Sequence, residues 1–362
     1  MDPRPPVARS LLSRRGASAR SPGFSSIVSS PLWLSNDLHP ACGEIHECLT
    51  LGRNEPEENF KAPRAGSARS FIIFAMDKHD HENNRFALGS EITPCDEGRP
   101  PMKTLSVTLS YDGAPFNGFA RQPGQLTVQG ELESALRTVF RRDIDITCAG
   151  RTDAGVHALG QVVSFDMAAA ELRDRTPRSL CRSLNALTHD GIVVRKVEER
   201  ASGFSARFDA VSREYRYRIC IDETPPVFTR GFAWHVPAPL DVAAMEAGAR
   251  HLIGEHDFKS FCMAASAVGK PTCRYVDEIS FRRESVMGEE LLVVKIVGNA
   301  FLHSMVRTII GTLVLVGKGK RDASWVASVL EARERSAAGE NAPAAGLTLW
   351  SVDYDGPRMY EP

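Results

Sequence analysis

The chain has 362 residues, 43% hydrophobic and 25% charged, enough for two domains of ordinary size that each bury a core. Lys and Arg number 44 against 45 Asp and Glu, a formal net charge of −1, which excludes a protein that holds nucleic acid through its overall charge. No run of about 18 apolar residues occurs; the longest helical apolar segment, 305–316, is interrupted by Arg307, Thr308, Gly311 and Thr312, so no membrane span is expected.

The eight cysteines, at 42, 48, 95, 148, 181, 220, 262 and 273, form no C-x-x-C pair and read as reduced thiols of a cytoplasmic type of compartment. His79 with His81, and His251 with His256, find no third or fourth ligand in register, so no metal site is expected. Arginines gather locally at 137, 141 and 142, at 173, 175, 178 and 182, and at 207, 213, 216 and 218, followed by Lys318, Lys320 and Arg321. Such clusters either form a basic stripe or are solvated faces balanced by nearby acids.

Residues 1–101 differ from the rest. Positions 1–35 carry five arginines and nine serines with a single acid, Asp2, and apolar periodicity stays low up to Met102. The segment is expected to be a dispensable extension, either an organellar transit peptide or a stretch preceding a natural start at Met102.

Regular pattern begins at Met102. Leu105, Val107, Leu109 and Tyr111 alternate as a strand that stops at Asp112-Gly113. Thr127 caps a helix with Val128, Leu132, Leu136, Val139 and Phe140 on its apolar face. Ile144, Ile146 and Cys148 predict a strand, 161–165 another, Thr176-Pro177 opens a second helix, and 192–197 is a strand. The same order then recurs: strand 214–221, a helix capped by Asp241 and running to Gly254, strands 275–281 and 291–297, a helix over 301–316, an inserted helix over 323–334, and a strand over 347–352. Two βαββαβ halves, 102–210 and 211–362, predict an α+β protein whose two sheets face or join across a cleft. RNA-recognition modules share this topology, so a non-catalytic tandem RNA binder is the rival reading. No segment with the aromatic base-stacking pattern of those modules is present.

Residues 149–158, A-G-R-T-D-A-G-V-H-A, place Arg151, Asp153 and two glycines at the end of the predicted 144–148 strand. Gly150 and Gly155 allow left-handed backbone or close approach to a ligand, and Arg151 stands near enough to hold a carboxylate ionised or to grip a phosphate. A tight turn with a surface ion pair would look the same. The run, with G-Q-V-V at 160–163, resembles the signature of the tRNA pseudouridine synthase A family. Further matches are Tyr111-Asp112-Gly113 with Gly118 and Phe119, Phe204 to Phe208 followed by 213–217, Asn299 to His303 with Met305-Val306-Arg307, and Gly346-Leu347. They span 102–354. Phe119 and Ala120 depart from the family, which usually has tryptophan and glutamine there.

The resemblance implies a pseudouridine synthase fold, no cofactor, no metal, tRNA as partner, uridines 38–40 of the anticodon stem-loop as targets, and a homodimer. It makes Asp153 the catalytic carboxylate, Arg307 its basic partner, Tyr215 the active-site tyrosine, and Leu347 a wall against the base. The chemistry needs those types. Isomerising uridine breaks the C1′–N1 bond and rejoins the ring through C5, and a carboxylate, ionised at neutral pH, can act at the sugar as nucleophile or base. Burial opposes that ionisation and a guanidinium restores it, which gives Arg307, a charge in a mainly apolar helix, its reason for being there. Arg151 would fill the space of the extruded base or hold a phosphate, and Tyr215 would stack on the flipped ring and accept the C5 proton at its hydroxyl. Without the resemblance, Tyr215, Tyr217 and Ile219 read as a core strand face.

Overall fold

The computed structural model describes residues 101–172 and 174–356, so the extension expected over 1–101 lies outside the described residues save for Pro101. The first half is β1 (Met102–Tyr111), α1 (Val128–Phe140), β2 (Thr147–Cys148), β3 (His157–Ala168), α2 (Pro177–Leu187) and β4 (Ile192–Arg200). The second half contains β5 (Ser212–Cys220), β6 (Trp234–His235), α3 (Val242–Ala249), β7 (Gly254–Asp257) and α4 (Ala264–Ala267). It continues through β8 (Cys273–Val286), β9 (Glu289–Gly298), α5 (Met305–Gly317) and α6 (Trp325–Ala332) to β10 (Leu347–Asp353).

Local chemistry starts these elements. The Thr127 hydroxyl accepts from the Gly130 N–H at the head of α1, and Thr176 does the same for Ser179 ahead of Pro177 in α2. Leu132 and Leu136 of α1 are fully buried, and each such leucine is worth about 1.5–3 kcal/mol over an exposed one. Asp241 caps α3 as expected, but the helix stops at Ala249 rather than reaching Gly254. Arg250–Leu252 tighten into a 3-10 turn, and Gly254, at φ +103°, leaves the helical path and opens β7, which pairs with β8. Of the predicted 144–148 strand only β2 forms, although Ile144 and Ile146 are buried.

The ten strands of the described residues belong to one sheet, ordered β4-β1-β3-β10-β5-β9-β8-β7, with β2 added on β3 and β6 on β5. The halves therefore join edge to edge and do not face each other. The joint is β10. It runs parallel to β3 at Thr348–His157 and Leu349–Ala158, and antiparallel to β5 at Leu347–Tyr217 and Leu349–Tyr215. β3 thus shares one edge between two partners: β2 beside Val163 and Ser164, and β10 beside His157 and Ala158. The chain of 149–156 has to emerge where one partner gives way to the other, which puts it at the seam between the halves.

Candidate active site

The 149–156 loop is held from below by buried polar groups. The Tyr111 Oη and Thr152 Oγ1 lie 2.8 Å apart, and the Gln161 amide donates to the Gly150 carbonyl at 2.6 Å. The Gly113 N–H donates to Nδ1 of His157 at 3.0 Å, which leaves the ring proton on Nε2, 3.0 Å from the Gly231 carbonyl. Burial pushes the His157 pKa down, against the pull of Asp112, so the ring stays neutral and its two bonds persist at neutral pH. Gly113 has no substitute: a Cβ there would sit 2.2 Å from the Val156 carbonyl oxygen. Gly155 turns the chain at φ +76°.

This support presents Asp153, whose side chain is 19% exposed, to the residues preceding and opening α5. Arg307 Nη1 donates to Oδ2 at 3.0 Å, and the Ser304 hydroxyl donates to the same oxygen at 2.8 Å. Nε2 of His303, on a side chain 47% exposed, lies 3.2 Å from Oδ1. Arg307 is itself fixed by donating through Nε to the Ala342 carbonyl at 2.8 Å. The charge that looked out of place in an apolar helix faces the carboxylate of the other half.

Tyr215 lies on β5 beside this pair, 7% exposed, with the Phe301 ring edge-on at 5.1 Å. A Cβ on Gly150 would come within 3.6 Å of its hydroxyl, so the phenol abuts the Asp153 loop. The hydroxyl makes no hydrogen bond among the described residues, and burial pushes its pKa far above the ordinary tyrosine value, so it stays protonated. That favours the ring as a wall over the hydroxyl as a proton acceptor. Arg151 is exposed and forms no ion pair among the described residues, which leaves its guanidinium available to a ligand. Leu347 is buried as the first residue of β10, opposite Tyr217.

Three participants escaped the sequence reading. His303 closes the matched 299–303 run with no role assigned to it, and Ser304 follows it at the non-helical entry to α5. Arg213 was legible as one of a basic cluster and as the start of the matched 213–217 run, with no role of its own. In the fold it is buried and donates to the carbonyls of Ala149 at 3.0 Å, Arg207 at 2.7 Å, Ala210 at 3.0 Å and Asn299 at 2.6 Å, tying the start of the Asp153 loop to the segment before α5. Other arginines of those clusters are balanced locally: Arg137 by Asp143, Arg142 by Glu171 and Arg216 by Glu214. Among the described residues no three His, Cys, Asp or Glu side chains gather as metal ligands, and no helix is long and apolar enough to cross a membrane.

Comparison with known proteins gives the family of the chain. The family model described as tRNA pseudouridine synthase matches residues 108–209 and 249–355, blocks that hold Asp153, His303, Ser304 and Arg307, with Arg213 and Tyr215 between them. The chain is 48% identical over 256 residues to tRNA pseudouridine synthase A of Brevibacillus brevis, covering 70% of this chain and 100% of that protein. It is 42% identical over 254 residues to the protein of that name in Geobacillus sp., covering 70% of this chain and 99% of that one. For the Bacillus subtilis protein of that name the values are 45% over 253 residues, 69% and 99%. With the family model matched across both halves and relatives aligned over essentially their whole length, the chain belongs to the tRNA pseudouridine synthase A family.

Proposed function

We propose that the protein isomerises uridine to pseudouridine in the anticodon stem-loop of tRNA, at positions 38–40, with Asp153 as the group that acts on C1′. The observation that carries this reading is the Asp153 carboxylate, seated at the seam of the sheet with Oδ2 held by Ser304 and Arg307. Oriented by those donors, it can attack C1′ or take a proton from the sugar without help from a metal or cofactor. Tyr215 is the flat wall for the flipped uracil and Leu347 an apolar one. Arg151 takes the place the base leaves in the stack or holds an adjacent phosphate. A binding module without turnover would have no use for a carboxylate with donors converging on it.

The enzyme acts as a homodimer whose subunits share one tRNA, in a cytoplasmic compartment that suits free thiols such as Cys148, Cys181 and Cys220. The catalytic unit runs from Met102, with 102–210 carrying the Asp153 loop and 211–362 completing the site; residues 1–101 are dispensable to it. The test is incubation of the purified chain with unmodified tRNA transcripts, without metal or cofactor, followed by chemical mapping of pseudouridine. Product at 38–40 is expected. Asp153→Asn keeps the size and hydrogen bonding but removes the charge, so its product should vanish while tRNA affinity stays within about threefold. Measurable turnover by that variant would remove Asp153 from its role.

A further inference from the structure

Ser304 has an unusual combination of backbone and side-chain behaviour. It occupies the N-cap of α5, where a serine in extended conformation would turn its hydroxyl back onto the first N–H groups of the helix. Instead it sits at φ +60° and ψ +9°, in the left-handed region that L side chains avoid, and its hydroxyl makes no capping bond. The hydroxyl is spent on Asp153 Oδ2, at 2.8 Å. Non-glycine residues at positive φ among the described residues are four, and the other three, Arg141, Met287 and Arg333, lie at helix or hairpin ends with no contact to the site.

The two oxygens of Asp153 are unlike each other in consequence. Oδ2 carries the Ser304 and Arg307 donors, which are 8% exposed as a residue and 19% exposed as a side chain. Among the described residues the contact made by Oδ1 is to His303, whose side chain is 47% exposed. With both directional bonds on Oδ2, the carboxylate cannot rotate about its Cβ–Cγ bond without breaking them.

Building on the proposed function, we propose that Ser304 is a positioning residue: its strained backbone aims the hydroxyl so that Asp153 is locked through Oδ2 and meets C1′ with Oδ1 alone. The strain is thus kept for the reaction and does nothing for the fold. Ser304→Ala and Ser304→Gly separate these two effects, since both delete the hydroxyl but only glycine relieves the left-handed backbone.

The measurements are single-turnover rate on tRNA transcript, tRNA affinity, thermal midpoint, and the infrared bands of the Asp153 carboxylate, assigned by difference from Asp153→Asn with isotope-labelled aspartate. Both variants should lose about 10- to 100-fold in rate, to the same extent, with affinity unchanged. The glycine variant should nevertheless melt above the alanine variant, the reverse of the usual order. The splitting between the carboxylate stretches should narrow in both as the two oxygens become alike.

A rate that recovers in the glycine variant in step with its stability would reduce Ser304 to a fold residue and overturn the proposal, as would wild-type rates in either. An unchanged carboxylate splitting would overturn it independently of turnover. If the wild type makes no pseudouridine, the proposed function fails, while a narrowed splitting in the variants would still uphold the grip of Ser304 on Oδ2.

Discussion

The two walls of the site are built in opposite ways. The 149–157 wall is a loop whose backbone is fixed from beneath by buried side chains of its own half, Tyr111, Gln161 and His157 among them, and whose chemistry is one carboxylate. The 299–307 wall is the entry to a helix nearly all of whose residues are buried, and its chemistry comes from side chains at the point where the backbone departs from helical geometry. One wall is a rigid frame that offers a group. The other is a packed element that reaches out to orient it. Asp153 therefore depends on two independent supports, and the variants that separate them should differ in kind as well as in size.

The largest effect is expected at Arg213, which touches both walls through Ala149 and Asn299. Burial lowers its pKa, and four backbone carbonyls hold its guanidinium. Arg213→Met leaves four acceptors unmet at about 1–3 kcal/mol each, offset by removal of a desolvated cation, for a net loss on the order of 3–5 kcal/mol. The urea midpoint should fall and turnover with it. A variant of normal stability that is merely slow would mean the walls are held together by the Asp153–Arg307 pair instead.

That pair comes next. Arg307→Met removes the cation 3.0 Å from Oδ2 but keeps the apolar stem, so the fold should survive while turnover falls by about 10²- to 10³-fold. A turnover rate equal to that of the wild type would mean that Ser304 and His303 suffice to hold the carboxylate without the cation.

The difference between the walls also explains what the sequence discloses. Everything that marks the first wall is local: a strand end, two glycines, an arginine and an aspartate in ten consecutive residues. Arg307 was legible because a charge in an apolar helix calls for a partner. Ser304 was not, because its role depends on a left-handed φ that Leu-His-Ser-Met does not announce; a glycine or asparagine there would have done so. Arg213 was hidden for a different reason, since burial among carbonyls from three segments is visible only once those segments meet. The fold divides along the same line. Caps at Thr127, Thr176 and Asp241 and the alternation of β1 are local, whereas the single sheet depends on β10 pairing with strands far from it in the chain, which no periodicity encodes.

Tyr215 sits between the walls, beside Gly150 on one side and Phe301 on the other, and gives a smaller effect. With its hydroxyl kept protonated by burial, Tyr215→Phe should stay within about fivefold of the wild-type single-turnover rate. Tyr215→Leu loses the flat face, worth about 1–3 kcal/mol for a stacked base, and should weaken productive tRNA binding accordingly. A fall of about 10²- to 10⁴-fold in the Phe variant would instead make the hydroxyl the acceptor of the C5 proton.

The smallest effect tests whether the first wall has support from outside its own half. His157 leans on the Gly231 carbonyl and stacks on Phe232 at 4.5 Å, and that loop is pinned further out by Glu289. The Glu289 carboxylate accepts the N–H groups of Val227, Phe228 and Thr229 and the Thr229 hydroxyl. Burial raises its pKa, but those donors outweigh it and bring the group from 4.5 down to about 2. A carboxylate depressed in the fold stabilises the protein fully above its unfolded pKa and loses that contribution as pH falls through the folded value. The Glu289→Gln variant should therefore melt below the wild type at neutral pH, and the gap should close as pH drops from 4.5 towards about 2. Turnover at neutral pH should change by no more than about twofold, the scale of a substitution away from the chemistry. A larger loss would show that the outer loop sets the Asp153 loop through His157, and the first wall would then draw its rigidity from both halves of the sheet.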